Sequence, residues 1–428
     1  MKKITILSIF LAPLFGADDW MTSFDKINSG DTAWILISAA LVLFMTMPGI
    51  ALFYAGMIRK KNILATMMQN YTTVAIVSVL WVVIGYSIAF TSGNSFVGGF
   101  DRLFLNGVSV VSSDALLSVH PNASSIPESV FIVFQMTFAI ISCAIITGAF
   151  AERIKFSALC LFIAIWVLAV YAPTAHWVWE GSGWLASHGV LDYAGGTVVH
   201  INAGIAGLVG AIMLKPRLGY KTEAMPPHNL VLTLIGVAML WFGWFGFNAG
   251  SAVAADARAG MAMLTTQVAT AIGALTWMVL EIIYKNKPSA LGFASGAVCG
   301  LVGITPAAGF VGTSGALAIG ILTAIACYYA VTVVKRKLNY DDSLDAFGIH
   351  GIGGIVGAVL TGVFCDEAIS GATGSISTQI IGVVITVIYS GTISYIILKI
   401  IDKTIGLRVS KDEEREGLDI VSHGERLG

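Results

Sequence analysis

Asp192-Tyr-Ala-Gly-Gly-Thr-Val-Val-His200-Ile-Asn-Ala-Gly-Ile-Ala-Gly-Leu-Val-Gly210 puts one imidazole inside an otherwise apolar run. A second run, Asp345-Ala-Phe-Gly-Ile-His350-Gly-Ile-Gly-Gly-Ile-Val-Gly357, does the same. Aligned on the histidines, small residues recur at equal offsets: Gly196 and Ala346 four before, Ala203 and Gly353 three after, Gly207 and Gly357 seven after. On a helix these offsets share a face with the imidazole. Small-residue faces are where membrane helices approach closely. An ionisable group within a membrane span is a functional hypothesis whose partner must be named, and here each histidine names the other.

The rest of the chain suits a membrane. Of 428 residues, 56% are hydrophobic and 11% charged, with 47 glycines; soluble proteins carry roughly 25% charged residues. A net charge of −1 and the lack of a basic patch give no reason to expect nucleic acid as a partner. The cysteines (Cys143, Cys160, Cys299, Cys327, Cys365) are scattered without metal-ligand spacing and read as small core residues. No nucleophile or metal constellation suggests an enzyme, and no cofactor is expected.

Met1 to about Ala17 has a basic start, Lys2-Lys3, and an apolar run too short to span a bilayer, which takes about 20 residues. It reads as a signal peptide (residues 1–17), or else as an uncleaved outer segment, because Leu14 and Phe15 make a poor cleavage site. Spanning-length stretches follow at about 33–58, 64–90, 128–150, 156–175, 193–214, 229–248, 257–284, 289–307, 313–334, 345–365 and 378–401. The expected fold is all-α: a polytopic membrane protein of eleven transmembrane helices in a domain covering 18–402, with a cytoplasmic tail at 403–428. Lys and Arg concentrate in alternate connections (Arg59-Lys60-Lys61, Arg153 and Lys155, Lys215, Arg217 and Lys221, Lys285 and Lys287, Lys335-Arg336-Lys337). The opposite connections hold only Lys26, Arg102 and Arg258. This places the N-terminus outside the cytoplasmic membrane and the C-terminus inside.

His200 falls in the fifth helix and His350 in the tenth. Helices 1–5 (about 33–214) and 6–10 (about 229–365) therefore correspond, and since five is odd the halves run in opposite senses. The helix at about 378–401 is extra. Inverted repeats place substrate sites near the midplane at the pseudo-two-fold axis. Counting from the helix ends, His200 lies about eight residues from the outer end and His350 about five from the inner end, so both reach that depth at about 1.5 Å per residue. Other groups are less decisive. Asp192 caps a helix N-terminus or keeps an outer vestibule electronegative. Phe134 and Phe138 share a face, Trp179 sits in an outer loop, and Phe247 and Ser251 share a face near the outer end of helix 6. Such aromatics attract cations but read by spacing alone as packing groups. Glu281 and Asp345 read as interfacial, with Asp345 a candidate cap for helix 10. The remaining histidines read as structural.

The two histidine stretches, Trp241-Phe-Gly-Trp-Phe-Gly-Phe-Asn-Ala-Gly-Ser251, Gly148-Ala-Phe-Ala-Glu-Arg-Ile154 and Glu414-Arg-Glu-Gly-Leu-Asp-Ile-Val-Ser-His-Gly424 together resemble the ammonium transporter (Amt/Mep/Rh) family. The Asp-to-His stretch and the tail fit its bacterial Amt branch. The resemblance implies a homotrimer in membrane lipid, with one narrow path per subunit for ammonium or ammonia. It implies an outer recruitment site at Phe138, Trp179 and Ser251, and stacked gate rings at Phe138 and Phe247. It also implies a supporting acid at Asp192, twin pore histidines at His200 and His350, and a PII-type signal protein as partner at the cytoplasmic face. Two other readings of the histidines compete: an ammonium sensor on the same fold, and a membrane cytochrome with bis-histidine haem.

Overall fold

A computed structural model describes residues 20–427; the expected signal peptide lies outside them. Among the described residues ten helices are long and apolar enough to cross a membrane: α1 Ser29–Met57, α2 Lys60–Phe90, α3 Glu128–Phe150, α4 Phe156–Ser187, α5 Gly196–Leu214, α6 Leu230–Gly250, α7 Ala257–Lys285, α9 Thr313–Leu338, α10 Phe347–Phe364 and α11 Ile376–Thr404. An eleventh, α8 Ala290–Ile304, is shorter than expected. Thr305 is followed by Pro306, which has no N–H to continue the helical ladder, and the chain turns there. The protein is a multi-pass membrane protein.

α3 is the hub. It is buried almost throughout, whereas most other spans bury one stripe and leave Leu, Ile, Val and Phe on the outside, where lipid would lie. The connection between α2 and α3 contributes β2 Val110–Val111 and β3 Leu116–Ser118 to a small antiparallel sheet, which β1 Met21–Ser23, ahead of α1, completes in the order β1-β3-β2. His120 follows it, accepting from Asn122 N at 3.1 Å and facing Phe90 O at 2.9 Å with Nε2. Burial holds its pKa down to about 4, so the ring is neutral and serves as one acceptor and one donor. This connection lies on the face of the bundle that carries Trp179; the C-terminal tail lies on the other.

The histidine helices enter from opposite faces and cross at glycines. A Cβ on Gly204 would lie 2.3 Å from Gly351 N, and one on Gly354 would lie 2.9 Å from Gly196 O. No larger residue fits either position. The helices thus meet four residues after each histidine, whereas Gly357, expected in this seam, packs against Gly303 O of α8 instead.

The tail folds back as α12 Lys411–Glu416 and α13 Leu418–His423. Lys155 N donates to Leu407 O at 2.8 Å and Val409 N to Arg153 O at 3.1 Å. Ala65 N, in the first turn of α2, donates to Asp419 Oδ1 at 2.8 Å, and Leu218 N donates to Glu414 Oε1 at 2.7 Å. Glu414 also pairs with Arg408 at 2.7 Å and is fully buried, while Asp412 and Arg415 face solvent. The charged run is therefore a docked helix with one solvated side.

Candidate functional site

Four side chains expected at one mouth line or floor a single cavity. It measures about 200 Å³ on the Trp179 face and is lined by Phe134, Gln135, Phe138, Trp179, Tyr193 and Ser251, among others. Trp179 is not in a loop: it ends the helical segment Ala172–Trp179, where α4 breaks. Its indole donates to Asp192 O at 2.9 Å, and its carbonyl accepts from Asn122 Nδ2 at 3.2 Å. These two bonds set the ring edge-on to Phe138, 5.6 Å between centroids at 89°. Ser251 Oγ donates to Phe247 O at 2.9 Å. With its proton committed to that carbonyl, the hydroxyl has only lone pairs left to offer.

Beneath the cavity Phe138 and Phe247 stack face to face, centroids 4.2 Å apart and 15° from parallel. Next comes His200, flanked by Phe247 at 6.0 Å and stacked on Trp244 at 5.4 Å. His200 Nδ1 and His350 Nδ1 are 3.2 Å apart. Two imidazoles at that distance hold one proton between those nitrogens, one donating and the other accepting. His200 Nε2 is buried with no partner among the described residues. Past His350 lies a second cavity of about 10 Å³, lined by Tyr54, Ile145, Trp244, Val298 and other apolar groups; that is room for about one water-sized molecule. Bis-histidine haem would need its iron and macrocycle between the imidazoles, and a direct contact there leaves no place for them. Among the described residues no group of three or more His, Cys, Asp or Glu could hold a metal ion.

Asp192 is turned away from the cavity. Its carboxylate accepts from the backbone N–H of Gly195 (2.8 Å), Gly196 (2.6 Å), Thr197 (2.8 Å) and Val198 (3.1 Å), and from the Thr197 hydroxyl. Of its two expected roles, the contacts are those of the cap. Gly195 makes this wrap possible, at φ 113°, a region closed to most side chains. It also delays the helix, so His200 is the fifth residue of α5 and lies in a wide π turn, Gly196–Ile201. His350 lies in the matching turn, Phe347–Gly351.

Asp345 does not cap α10. It sits at φ 58° and pairs with Lys335 at 2.7 Å. Asp342 does the capping, accepting from Ala346 N at 3.1 Å and Phe347 N at 2.7 Å. The signal was present in the alignment: Asp192 and Asp342 both stand eight residues before their histidine. Glu281, read as interfacial, is buried and accepts from Ser289 N at 2.7 Å, fixing the start of α8. Glu152 and Arg153 also do more than mark orientation. Glu152 accepts from Arg59 Nε at 3.0 Å and Arg217 at 2.8 Å; against the upward push of burial, Arg217 and Arg59 hold its carboxyl down to about 2. Arg217 pairs with Asp341 at 2.8 Å, and Arg153 donates to Ser343 Oγ at 2.6 Å and to Asp341 O. These groups join the tail to the segment that caps α10.

With this geometry fixed, comparison with known proteins is direct. The sequence profile of the Ammonium Transporter Family matches residues 33–427. The chain belongs to the ammonium transporter family. An ammonium transporter of Aquifex aeolicus is 46% identical over 98% of this chain and 97% of its own length. The crystal structure of Mep2 from Saccharomyces cerevisiae is 35% identical, covering 91% of this chain and 89% of that one with a TM-score of 0.81. A sensor Amt protein is similar at 27% identity and a TM-score of 0.84, covering 92% of this chain and 98% of that one. The family fold is thus shared by proteins named for transport and for sensing.

Proposed function

We propose that this chain carries ammonium inward across the cytoplasmic membrane, with the Trp179 face outside and the tail in the cytoplasm. The reading rests chiefly on one observation: two imidazoles 3.2 Å apart, buried directly beneath a stacked aromatic floor. Ammonium and potassium are nearly equal in size, and they differ in that ammonium donates hydrogen bonds and is an acid. Phe138 and Trp179 attract the cation, while the Ser251 lone pairs accept one of its protons. The apolar passage below makes the charged form costly by several kcal/mol or more. The cation therefore gives up a proton at the outer site, and ammonia passes Phe138 and Phe247 to the histidines. A neutral imidazole pair offers ammonia hydrogen-bonding nitrogens and offers the proton a relay. The subunits form a homotrimer in lipid, with one path each. The docked tail is the regulatory segment, and the cytoplasmic face beside it is where a PII-type signal protein would bind.

The test is current recorded from reconstituted vesicles pulsed with ammonium. The wild type gives a current; His200→Ala combined with His350→Ala abolishes it, with folding and assembly retained. Full-sized current in the double variant assigns the proton another route and leaves the pair as a steric filter. Ammonia uptake without current in the wild type identifies a neutral ammonia channel.

A further inference from the structure

Gln135 lies on α3 between Phe134 and Phe138 and lines the same outer cavity. It is 8% exposed, and its Oε1 is buried without a hydrogen-bond partner among the described residues. Two neighbouring polar side chains of the mouth are committed, the Trp179 indole to Asp192 O and the Ser251 proton to Phe247 O. The Tyr193 hydroxyl in the same cavity also has no hydrogen-bond partner among the described residues. An amide oxygen enclosed by Phe134, Phe138 and Trp179 is unfavourable unless something in the cavity donates to it. We infer that Gln135 Oε1 is a second hydrogen-bond acceptor for the cation, acting with Ser251 Oγ to hold two N–H groups of ammonium between the aromatic rings. The inference rests on the transport reading above and adds to it a specificity-determining residue. Aromatic faces draw any small cation, because the attraction lies along the ring normal and is indifferent to how the cation is built. Two oxygens on neighbouring helices reward only a cation with hydrogens at the matching angle. Both acceptors are uncharged, so neither holds the cation so strongly that losing a proton becomes harder.

The experiment is the ammonium dependence of current from the reconstituted full chain, with potassium as competitor. In Gln135→Leu the half-saturating ammonium concentration rises about tenfold, as expected for one hydrogen bond to a charged group. The maximal current stays within about twofold, and potassium inhibits at lower concentration. Gln135→Glu, which is nearly isosteric and serves if the leucine variant does not fold, lowers the half-saturating concentration and the maximal current together, because a full charge retains the cation. An unchanged half-saturating concentration in either folded variant overturns the inference. So does a fall in maximal current alone, which would make Gln135 a packing residue. A wild type with no response to ammonium overturns the transport reading itself, and is told apart from these outcomes because it appears before any substitution.

Discussion

The helices that bring the histidines together are built alike and anchored differently. Each carries, eight residues after its cap, an imidazole in a wide π turn, and each cap is a buried aspartate. Asp192 gathers five hydrogen bonds from a single loop of its own chain segment. Asp342 gathers two, and stands among charges contributed by other elements: the Lys335–Asp345 pair, the Arg217–Asp341 pair and the Arg153 guanidinium. One end of the path is held locally. The other is held by a network that reaches the tail. Internal symmetry in a chain thus fixes the geometry at its centre while leaving the ends free to take on different duties.

The largest effect should come from the self-contained end. Asp192→Asn exchanges an acceptor oxygen for an N–H group facing buried donors, and removes the charge that strengthened every bond to it. A loss on the order of 3–5 kcal/mol is expected, seen as a lower melting temperature in detergent and no ammonium-evoked current. Wild-type melting and current in this variant would mean that the two caps are equally dispensable.

Asp342→Asn should act mainly on pH response. Asparagine keeps one acceptor oxygen for a cap but turns its NH2 toward the other of the two donors, so the fold should lose about 1–2 kcal/mol, less than at Asp192. In the wild type, burial raises the Asp342 carboxyl from 3.8 to about 6, and Asp345 adds to that while Lys335 opposes it. An acid whose pKa is higher folded than unfolded takes up its proton in the folded state first. Acidification between pH 7 and 4 therefore favours folding through this group, even as the protonated carboxyl becomes a weaker acceptor for Ala346 and Phe347. Transport should fall as the pH on the tail side drops through about 6, with no matching fall in melting temperature. Flux measured against internal pH would show the step in the wild type and none in Asp342→Asn.

The smallest effect should be local to the network. Glu414→Gln keeps an acceptor for Leu218 N and gives up the charge partner of Arg408. It should cost about 1 kcal/mol and show as faster amide exchange at Leu218 and in α12. Unchanged exchange would mean that the tail is held without Glu414, by its backbone pairings to Arg153 and Lys155 and by the Asp419 bond to Ala65.

The sequence revealed most where a residue's role depends on spacing along one helix. The eleven helices and their opposed halves follow from apolar length and charge in the connections. His200 and His350 do meet, but the helices cross at Gly204 and Gly354, one residue beyond the matched positions Ala203 and Gly353. It revealed least where backbone leaves the helical region. Gly195 at φ 113° and Asp345 at φ 58° shift both helix starts inward, so the histidines lie in first turns and Asp342 takes the cap expected of Asp345. Spacing alone places Trp179 in a loop, because no pattern marks a helix that breaks immediately after it. Gln135 carries no signal in the sequence, because a polar residue in an apolar helix says nothing about which neighbours leave it unpaired. Arg153 reads as loop charge and Glu152 carries no role by spacing, since their partners at Arg217, Asp341 and Ser343 come from distant parts of the chain.

Rings stacked at 4.2 Å lie between the outer cavity and the histidines. Ammonia taking the proposed path would have to wait for Phe138 and Phe247 to part, one molecule at a time, with the rings closing again behind it. Throughput is then paced by the frequency of a side-chain fluctuation rather than by diffusion through a continuous column of water. Its kinetics should be those of a turnstile: a ceiling reached at modest substrate concentration, a steep dependence on temperature, and current that grows smoothly with the number of copies without resolvable unitary steps.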